Sequence, residues 1–288
     1  MNKDRKLIIE IPLSTANLAC GFDTFGLALD LYNTYTFSLS QKYVLHGFKR
    51  EYTNNNNLCL TSYKETLKIL KSDDIPVSIT LDQHIYNCGG LGSSANVIIA
   101  GVAAALYFVK GKIDKDEVLK IASRIEGHPD NVAAEVYGGL TSAVKIEDTY
   151  KIFKYDVCKD LIFNVFVPSF SLSTKAMRAC LPKEVSMSDA VFNISRAANL
   201  AYALKEGSLD KIEFLMQDKL HQSYRIDKIE GAKKVFEYAT INNLPHAISG
   251  SGASLLIIDK ALIKEKFDGF INVGLHADNE GMKIYEEN

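Results

Sequence analysis

A short segment rich in glycine and serine is the part of this sequence best suited to chemistry. Glycines let the backbone come close to a ligand, and the first turn of a helix offers unpaired N–H groups and the positive end of the helix dipole. Serines add hydroxyl donors or hard oxygen ligands for a metal ion. An apolar run follows the segment, so the pattern predicts a phosphate-binding loop at a helix N-terminus. The segment reads Gly89-Gly90-Leu91-Gly92-Ser93-Ser94-Ala95.

The loop departs from two common phosphate-binding patterns. No lysine follows the glycines, as a Walker A sequence would require, and the glycine spacing does not fit the dinucleotide-binding pattern. A structural turn that is rich in glycine and capped by serine would have the same composition. The loop alone leaves the phosphate site and the structural turn open.

The elements that would hold the loop follow from the periodicity of the apolar residues. Residues 93–109 predict a buried helix, because the apolar run 97–109 is shorter than the ~20 residues that span a bilayer. Asp114 and Glu117 resemble a capping box that opens a helix to about residue 125, and Pro129 suits the first turn of another. Further predictions are strands at 6–12, 35–39, 77–81, 140–146, 161–167 and 253–258, helices at 58–70, 175–180 and 189–205, and two more helices before the last strand.

The order of these elements favours an α+β fold. Both halves of the chain mix strands and helices without the regular alternation that builds a doubly wound parallel sheet. The 288 residues suffice for two modest domains, each with its own core. Residues 148–160 are rich in charge and lack clear periodicity, so we expect a domain boundary there.

Composition narrows the functional classes. The formal net charge is −2 and the lysines are scattered, so no overall field favours nucleic acid or a membrane surface. The five cysteines are odd in number and lack metal-ligand spacing, which predicts reduced thiols in a cytoplasmic protein. The N-terminal segment is charged and then strand-like, without the apolar region of a signal peptide.

Three stretches together resemble the GHMP kinase family, which includes galactokinase, homoserine kinase and mevalonate kinase. Residues 90–95 match its ATP-phosphate loop, residues 12–26 (PLSTANLACGFDTFG) match its first motif, and residues 249–254 (SGSGAS) match its third. The resemblance implies a two-domain fold. Residues 1–155 would form an ATP-binding domain similar to the second domain of ribosomal protein S5, and residues 156–288 a ferredoxin-like domain.

The chain departs from the family pattern at three places. The phosphate loop usually begins with proline, where this chain has Tyr86, and the first motif usually has Gly-Pro, where Ala19 and Cys20 stand. The homoserine kinases usually have proline where Asp227 follows Ile226. These departures affect the expected shapes of the neighbouring loops.

The candidate substrate residues suit a zwitterionic amino acid. Its ammonium group needs a carboxylate, such as Asp23, and its carboxylate needs cations, for which the arginine fork is well shaped. Arg178 and Arg225 are candidates, and the amide of Asn17 could hold an alcohol. These residues and segment 126–131 (EGHPDN) match the homoserine kinases. The resemblance implies a substrate-binding set of Asn17, Asp23, His128, Thr174, Arg178 and Arg225.

The resemblance also implies a catalytic set of Asn17, His128 and Asn131. Asp130 lies in the same region, but nothing in the sequence assigns it as a general base. Mg²⁺ would be held by Glu126 and a loop serine, either Ser93 or Ser94. The implied ATP-binding residues are Asn56 and Asn57, one of which would read the adenine edge, with Tyr86, Asn87, Cys88, Gly89, Gly90, Leu91, Gly92, Ser93, Ser94, Ala95, Asn96, Ser249, Gly250, Ser251 and Gly252.

The resemblance thus predicts ATP-dependent phosphorylation of the side-chain hydroxyl of L-homoserine, giving O-phospho-L-homoserine in threonine biosynthesis. The expected partner is this small molecule, without nucleic acid or membrane, in a cytoplasmic protein that could be a homodimer. Two alternatives share the fold: another GHMP kinase acting on mevalonate or a sugar alcohol, and a non-catalytic regulator that binds a small ligand. A structural α+β protein with glycine turns is the third.

Overall fold

The computed structural model describes residues 6–83 and 89–287. Within them the chain forms two β-sheets with helices packed on their faces, which is the α+β organisation that the sequence predicts. The first sheet contains β1 (Lys6–Ala16), β2 (Phe25–Leu39), β3 (Val44–His46), β4 (Val77–Gln83), β5 (Leu140–Ile146), β6 (Thr149–Tyr155) and β11 (Lys283–Glu287). The second contains β7 (Ile162–Pro168), β8 (His246–Ile248), β9 (Leu255–Asp259) and β10 (Phe270–Leu275).

Most helices follow the predicted positions with shifts of one or two residues. Asn57 and Asp114 begin the first and third helices, because each side chain accepts hydrogen bonds from main-chain N–H groups in the first turn. The helices are α1 (Leu58–Ile69), α2 (Ser93–Lys110), α3 (Lys115–Glu126), α4 (Asp130–Tyr137), α5 (Thr174–Ala179), α6 (Met187–Glu206), α7 (Leu209–Leu215), α8 (Gln222–Arg225) and α9 (Ala232–Ile241). Short 3₁₀ turns occur at Arg50–Tyr52 and Ile226–Lys228.

The first core forms where α1 to α4 cover one face of the first sheet. Alternate residues of β1, such as Leu7, Ile9 and Ile11, are fully buried in it, as the two-residue period of a strand requires. Helix α2 runs through this core. It has the length and hydropathy of a membrane span, yet 72% of it is buried within the fold, as in the core helices of globular proteins.

The second sheet separates two further cores. Phe163 and Val165 of β7 point to the side where the first sheet and α6 lie, whereas Phe166 points to α9 on the opposite side. Its strand order is β10-β7-β9-β8, and every pair is antiparallel. This is the strand order of the predicted ferredoxin-like domain, although residues 260–269 form a loop between β9 and β10.

Residues 148–160 contain a strand that the sequence interpretation did not predict. Most of this segment forms β6, which pairs in register with β5 through a tight turn at Glu147, a residue with φ of +51°. Its two lysines are three positions apart and its residues are all at least partly exposed, so the strand gave too little apolar periodicity to reveal it. The chain then enters the second sheet at β7, close to the predicted division into residues 1–155 and 156–288, which stays a prediction. The strand β11 returns to pair with β1 in the first sheet.

Candidate active site

The three glycine-containing motifs meet in one cavity between the two sheets. Strand β1 delivers the first motif, the N-terminus of α2 carries the second, and the turn between β8 and β9 carries the third. Leu172 and Asp130 line the cavity together with predicted residues from the three motifs, from segment 126–131, from α5 and from α8. These predicted residues are Asn17, Asp23, Gly89, Gly90, Gly92, Ser93, Ser94, Glu126, His128, Asn131, Thr174, Arg178, Arg225, Gly250, Ser251 and Gly252.

Two glycines of the second motif are required by their backbone geometry. Gly90 has φ of +91°, and a Cβ atom there would lie 2.5 Å from the carbonyl oxygen of Ser249. Gly92 caps α2 in the left-handed region with φ of +69°, and a Cβ atom there would lie 2.1 Å from Glu135 Oε1. Close packing and left-handed backbone together explain why glycine stands at both positions.

Hydrogen bonds join the motifs to one another. The Ser249 hydroxyl lies 2.6 Å from the Gly90 carbonyl and 2.8 Å from Thr15 Oγ1. The amide of Asn17 donates from Nδ2 to the Gly250 carbonyl at 2.7 Å, and its Oδ1 accepts from the Asp23 N–H at 2.9 Å. Both ends of the Asn17 amide are therefore engaged in holding the first motif against the third.

Some predicted ATP-binding residues lie behind the cavity wall. Leu91, Ala95 and Ser249 are fully buried, and none of them lines the cavity. Asn96 is also fully buried, where its Oδ1 accepts from Tyr35 and Asn33 and its Nδ2 donates to the main chain of β1. Their side chains support the loop from below. Tyr86, Asn87 and Cys88 lie outside the described residues.

A second cavity opens from the phosphate loop and shares Gly89, Ser93 and Ser94 with the first. Its apolar wall includes Phe48, Tyr52, Leu58 and Val97. Such a slot beside a phosphate loop has the shape and polarity for a nucleotide base.

Of the two asparagines predicted to read adenine, only Asn57 lines this second cavity. Asn57 Oδ1 accepts from the Leu60 N–H at 3.1 Å, and its Nδ2 donates to the Tyr52 carbonyl at 2.9 Å. Asn56 is exposed in the preceding turn. The Asn57 side chain thus caps α1 and fixes the wall of the slot.

At the opposite end of the first cavity, Asp23 and Arg178 form an ion pair. Arg178 Nη1 and Nη2 donate to the two carboxylate oxygens of Asp23 at 2.8 and 2.7 Å. The hydrogen bonds to Asp23 raise the pKa of Arg178 above its ordinary value. Asp23 has φ of +52°, and Asn17 to Ala19 are also left-handed, so the first motif holds its carboxylate on a strained loop.

Arg225 is buried, with only 1% of its surface exposed, yet it lines the cavity. Its Nε donates to the Met177 carbonyl and its Nη1 to His221 Nδ1, both at 3.2 Å. No carboxylate in residues 6–83 or 89–287 pairs with it within 4 Å. Burial lowers the pKa of Arg225, and the positive charge of Arg178 acts in the same direction. A buried cation of this kind favours an anionic guest.

The remaining predicted substrate residues lie between the two ends. Thr174 begins α5, and its hydroxyl lies 3.2 Å from the Ser251 hydroxyl. His128 Nδ1 lies 2.7 Å from Asp130 Oδ1, and its Nε2 lies 3.8 Å from Glu126 Oε1. Burial opposes the charged form of His128, but the hydrogen bond and charge of Asp130 outweigh it and raise the pKa.

Glu126 ends α3 beside the phosphate loop. Ser94 Oγ donates to Glu126 Oε2 at 2.7 Å, so the structure brings together two of the three predicted metal ligands. Burial raises the pKa of Glu126, and the contact with Ser94 acts in the opposite direction. No group of three or more His, Cys, Asp or Glu side chains in the described chain could hold a metal ion. One carboxylate and one hydroxyl fit Mg²⁺, which usually completes its octahedron with phosphates and water.

Several site residues escaped the sequence interpretation. Ser14 and Glu135 lie beneath Gly92, and His221 supports Arg225 while stacking on Phe22 with ring centroids 5.0 Å apart. The sequence offered one usable signal: Glu135 follows Asn131 by four residues, which puts both side chains on the same face of a helix.

The amino-acid sequence matches one family model and is similar to several homoserine kinases along most of its length. Residues 57–139 match the family model described as GHMP kinases N terminal domain. A homoserine kinase of Clostridium acetobutylicum is 36% identical over 96% of this chain and 95% of its own length. A homoserine kinase of Clostridium kluyveri is 34% identical over 92% of this chain and 89% of its own.

Solved structures agree with these sequence relatives. Homoserine kinase from Cytophaga hutchinsonii superposes with a TM-score of 0.83 at 25% identity, covering 99% of this chain and 98% of that one. A mevalonate kinase superposes with a TM-score of 0.68 at 18% identity, covering 95% of this chain and 99% of that one, which shows the shared fold alone.

Proposed function

We propose that this chain, which belongs to the GHMP kinase family and within it to the homoserine kinases, is an ATP-dependent kinase of L-homoserine. It transfers the γ-phosphoryl group of ATP to the side-chain hydroxyl of that substrate. The product would be O-phospho-L-homoserine, an intermediate of threonine biosynthesis.

The observation that carries this proposal is the pairing of charges at one end of the cavity, here called the amino-acid end (Asp23, Arg178 and Arg225). A zwitterion complements this set, because its carboxylate can join the buried Arg225 and the fork of Arg178, while its ammonium group can share Asp23. Mevalonate and sugar alcohols have no ammonium group, so they would leave Asp23 without this contact.

The opposite end, here called the phosphate end (residues 89–94 and 250–252), suits the triphosphate of ATP. It offers main-chain N–H groups at the N-terminus of α2 and glycine turns without side chains in the way. The base would occupy the apolar slot that continues from this end, between Phe48 and Val97.

Glu126 and Ser94 would hold Mg²⁺ between the two ends. Their oxygens lie 2.7 Å apart and face the cavity. The cation would neutralise phosphate charge, which is its usual contribution to phosphoryl transfer. Its presence would also stabilise the ionised form of Glu126 against the effect of burial.

Transfer of a phosphoryl group depends mainly on alignment and charge neutralisation. Thr174, His128 and Asn131 lie where the two ends meet, so they would orient the homoserine hydroxyl towards the γ-phosphate. Asn17 would act less directly, since both ends of its amide brace the motifs. We further propose a cytoplasmic enzyme with no nucleic acid or membrane partner, which could act as a homodimer.

A coupled assay of ADP release tests the proposal. L-Homoserine should support turnover with Mg²⁺ and ATP, whereas mevalonate, serine, threonine and shikimate should not. Two truncated substrates sharpen the test: 3-aminopropan-1-ol lacks the carboxylate and 4-hydroxybutanoate lacks the ammonium group, and both should react poorly. Strong turnover of mevalonate with none of homoserine would overturn the proposal.

A further inference from the structure

Beneath the phosphate loop lies a buried carboxyl group with an unusual environment. Glu135 on α4 is fully buried, and its Oε1 lies 2.6 Å from the Ser14 hydroxyl. The same hydroxyl lies 2.9 Å from Asn131 Oδ1. The three side chains therefore form a chain of contacts from the core to the cavity, where Asn131 is part of the wall.

The protons of this chain can be counted. The Ser14 hydroxyl has one hydrogen and can donate it to only one of its two neighbours. If Glu135 is ionised, it can only accept, so Ser14 must donate to it, and Asn131 must turn its NH₂ group inwards to Ser14. If Glu135 is protonated, it donates to Ser14, and Ser14 donates to Asn131 Oδ1. The NH₂ group of Asn131 then faces the cavity.

The surroundings of Glu135 favour the protonated form. No lysine, arginine or histidine of residues 6–83 or 89–287 lies within ion-pair distance of it, and its Oε2 has no hydrogen-bond partner there. The charged groups that face it are two further acids, Glu126 at the end of α3 and Asp130 on its own helix. A buried carboxylate with an unpartnered oxygen and only negative neighbours would be costly, whereas a neutral acid leaves a carbonyl oxygen there.

The titration of the group agrees with this geometry. Burial raises the pKa of Glu135 well above its ordinary value, and the negative charges of Glu126 and Asp130 add to the effect. The Ser14 hydroxyl and the Asn96 amide act in the opposite direction but do not offset burial.

We propose that Glu135 is a neutral carboxylic acid that positions Asn131: it donates to Ser14, Ser14 donates to Asn131 Oδ1, and the Asn131 NH₂ group is presented to the cavity as a hydrogen-bond donor. The catalytic value of this amide orientation rests on the proposed function. At the junction of the two ends, a donor suits the anionic oxygens of the phosphoryl group or the oxygen of the accepting hydroxyl. An ionised Glu135 would present the amide oxygen instead, which repels both.

The first experiment measures protonation and needs no activity. Infrared difference spectra of the wild-type chain against Glu135→Gln at pH 8 should show a protonated carboxyl C=O band that is lost in the variant. The absence of that band would overturn the proposal. If Glu135→Gln does not fold, the wild-type chain labelled with ¹³C-carboxyl glutamate decides: one carboxyl carbon should keep the NMR shift of the protonated form at pH 8, and full ionisation of every glutamate would overturn the proposal.

The second experiment measures positioning. Gln can donate to Ser14 as the neutral acid does, so Glu135→Gln should keep kcat within about threefold. Ser14→Ala removes the link, and kcat should fall about three- to tenfold, the effect of one hydrogen bond, while KM for ATP stays unchanged. Ser62→Ala is the matched control, because Ser62 is an equally buried serine on α1, remote from Asn131. Wild-type kcat in Ser14→Ala, or a large loss in folded Glu135→Gln, would overturn the positioning role.

The two experiments separate this inference from the proposed function. A wild-type chain without homoserine kinase activity would remove the function, yet the infrared result would still report the state of Glu135. An active enzyme without the carboxyl band would remove the inference and leave the function standing.

Discussion

The phosphate end of the cavity and its amino-acid end differ in the atoms that they present. At the phosphate end the wall is mostly main chain, with glycines at 89, 90, 92, 250 and 252 and hydroxyls from serines. At the amino-acid end the wall is charged side chain, with Asp23, Arg178 and Arg225 on three separate segments.

This difference assigns separate tasks to the two ends. Main-chain N–H groups bind phosphate whatever alcohol is present, so the phosphate end can be common to kinases of this fold. Side-chain charges can be exchanged one at a time, so under the proposed function the amino-acid end would determine which alcohol is accepted. Substitutions at one end should therefore change ATP binding, and substitutions at the other should change homoserine use.

The largest expected effect tests whether Glu126 holds the Mg²⁺ ion that would neutralise charge at the phosphate end. Glu126→Gln keeps the size of the side chain and its contact with Ser94 but removes the charge. We expect kcat to fall about a hundredfold, because a metal ion contributes several kcal/mol to such a transfer, with partial recovery at high Mg²⁺. Glu117→Gln on the same helix is the control, since Glu117 forms a surface pair with Lys110. Unchanged Mg²⁺ dependence in Glu126→Gln would show that other residues form the metal site.

The next effect concerns the buried arginine. Arg225→Ala should lower kcat/KM for homoserine about fiftyfold, since a charge-assisted hydrogen bond contributes roughly 1.5–3 kcal/mol. Affinity for ATP, measured by calorimetry, should not change. Arg225→Lys should restore only part of the loss, because lysine lacks the fork that contacts both Met177 and His221. Equal losses for ATP and homoserine would break the division between the two ends.

Arg178→Ala should have a smaller effect of about tenfold on kcat/KM for homoserine. Its side chain is 37% exposed, so water and salt screen its charge more than that of Arg225. Added KCl should therefore weaken homoserine use more in the Arg225→Ala variant, which depends on Arg178 alone, than in Arg178→Ala. Arg196→Ala on α6 is the control, because Arg196 stacks on Phe192 and does not line the cavity. A salt response of the opposite order would contradict the assignment of the two arginines.

The smallest expected effects come from alanine substitutions at two glycines of the phosphate end. Gly92→Ala places a Cβ atom against Glu135 and Ser14 in left-handed backbone, so the free energy of unfolding should drop about 1–3 kcal/mol, and ATP affinity should weaken about fivefold. Gly89→Ala is its matched control, because the nearest atom to that Cβ lies 3.7 Å away. Thermal unfolding with and without ATP measures both. Equal destabilisation by the two substitutions would show that contact with Glu135 does not constrain Gly92.

The sequence predicted the elements with strong local signals. The cap of α3 at Asp114, the buried α2 and the bounds of β5 depend on neighbouring residues, so they could be found without the fold. The strands β6 and β11 could not, because exposed edge strands rich in lysine and glutamate have little apolar periodicity. Only pairing with β5 and β1 gives them their conformation.

The candidate site also has features that the sequence predicted and features that it did not. The motifs identified which residues gather around the cavity, and the structure brings most of them to its wall. The sequence did not reveal that Asp23 and Arg178 pair with each other, that Arg225 is buried, or that Asn57 and Asn17 use their amides internally. Each of these facts depends on contacts between residues far apart in the chain, which no local pattern encodes.

The pairing of β11 with β1 brings the two extremities of the described chain side by side. Lys6 stands opposite Glu287, and Lys6 Nζ lies 3.4 Å from Glu287 Oε2. The described residues 6–287 therefore start and finish on neighbouring strands of one sheet. A circularly permuted chain could be joined by a short glycine linker and opened at the exposed turn of Glu147 and Asp148. It would keep every strand pairing and lose only the covalent connection between β5 and β6.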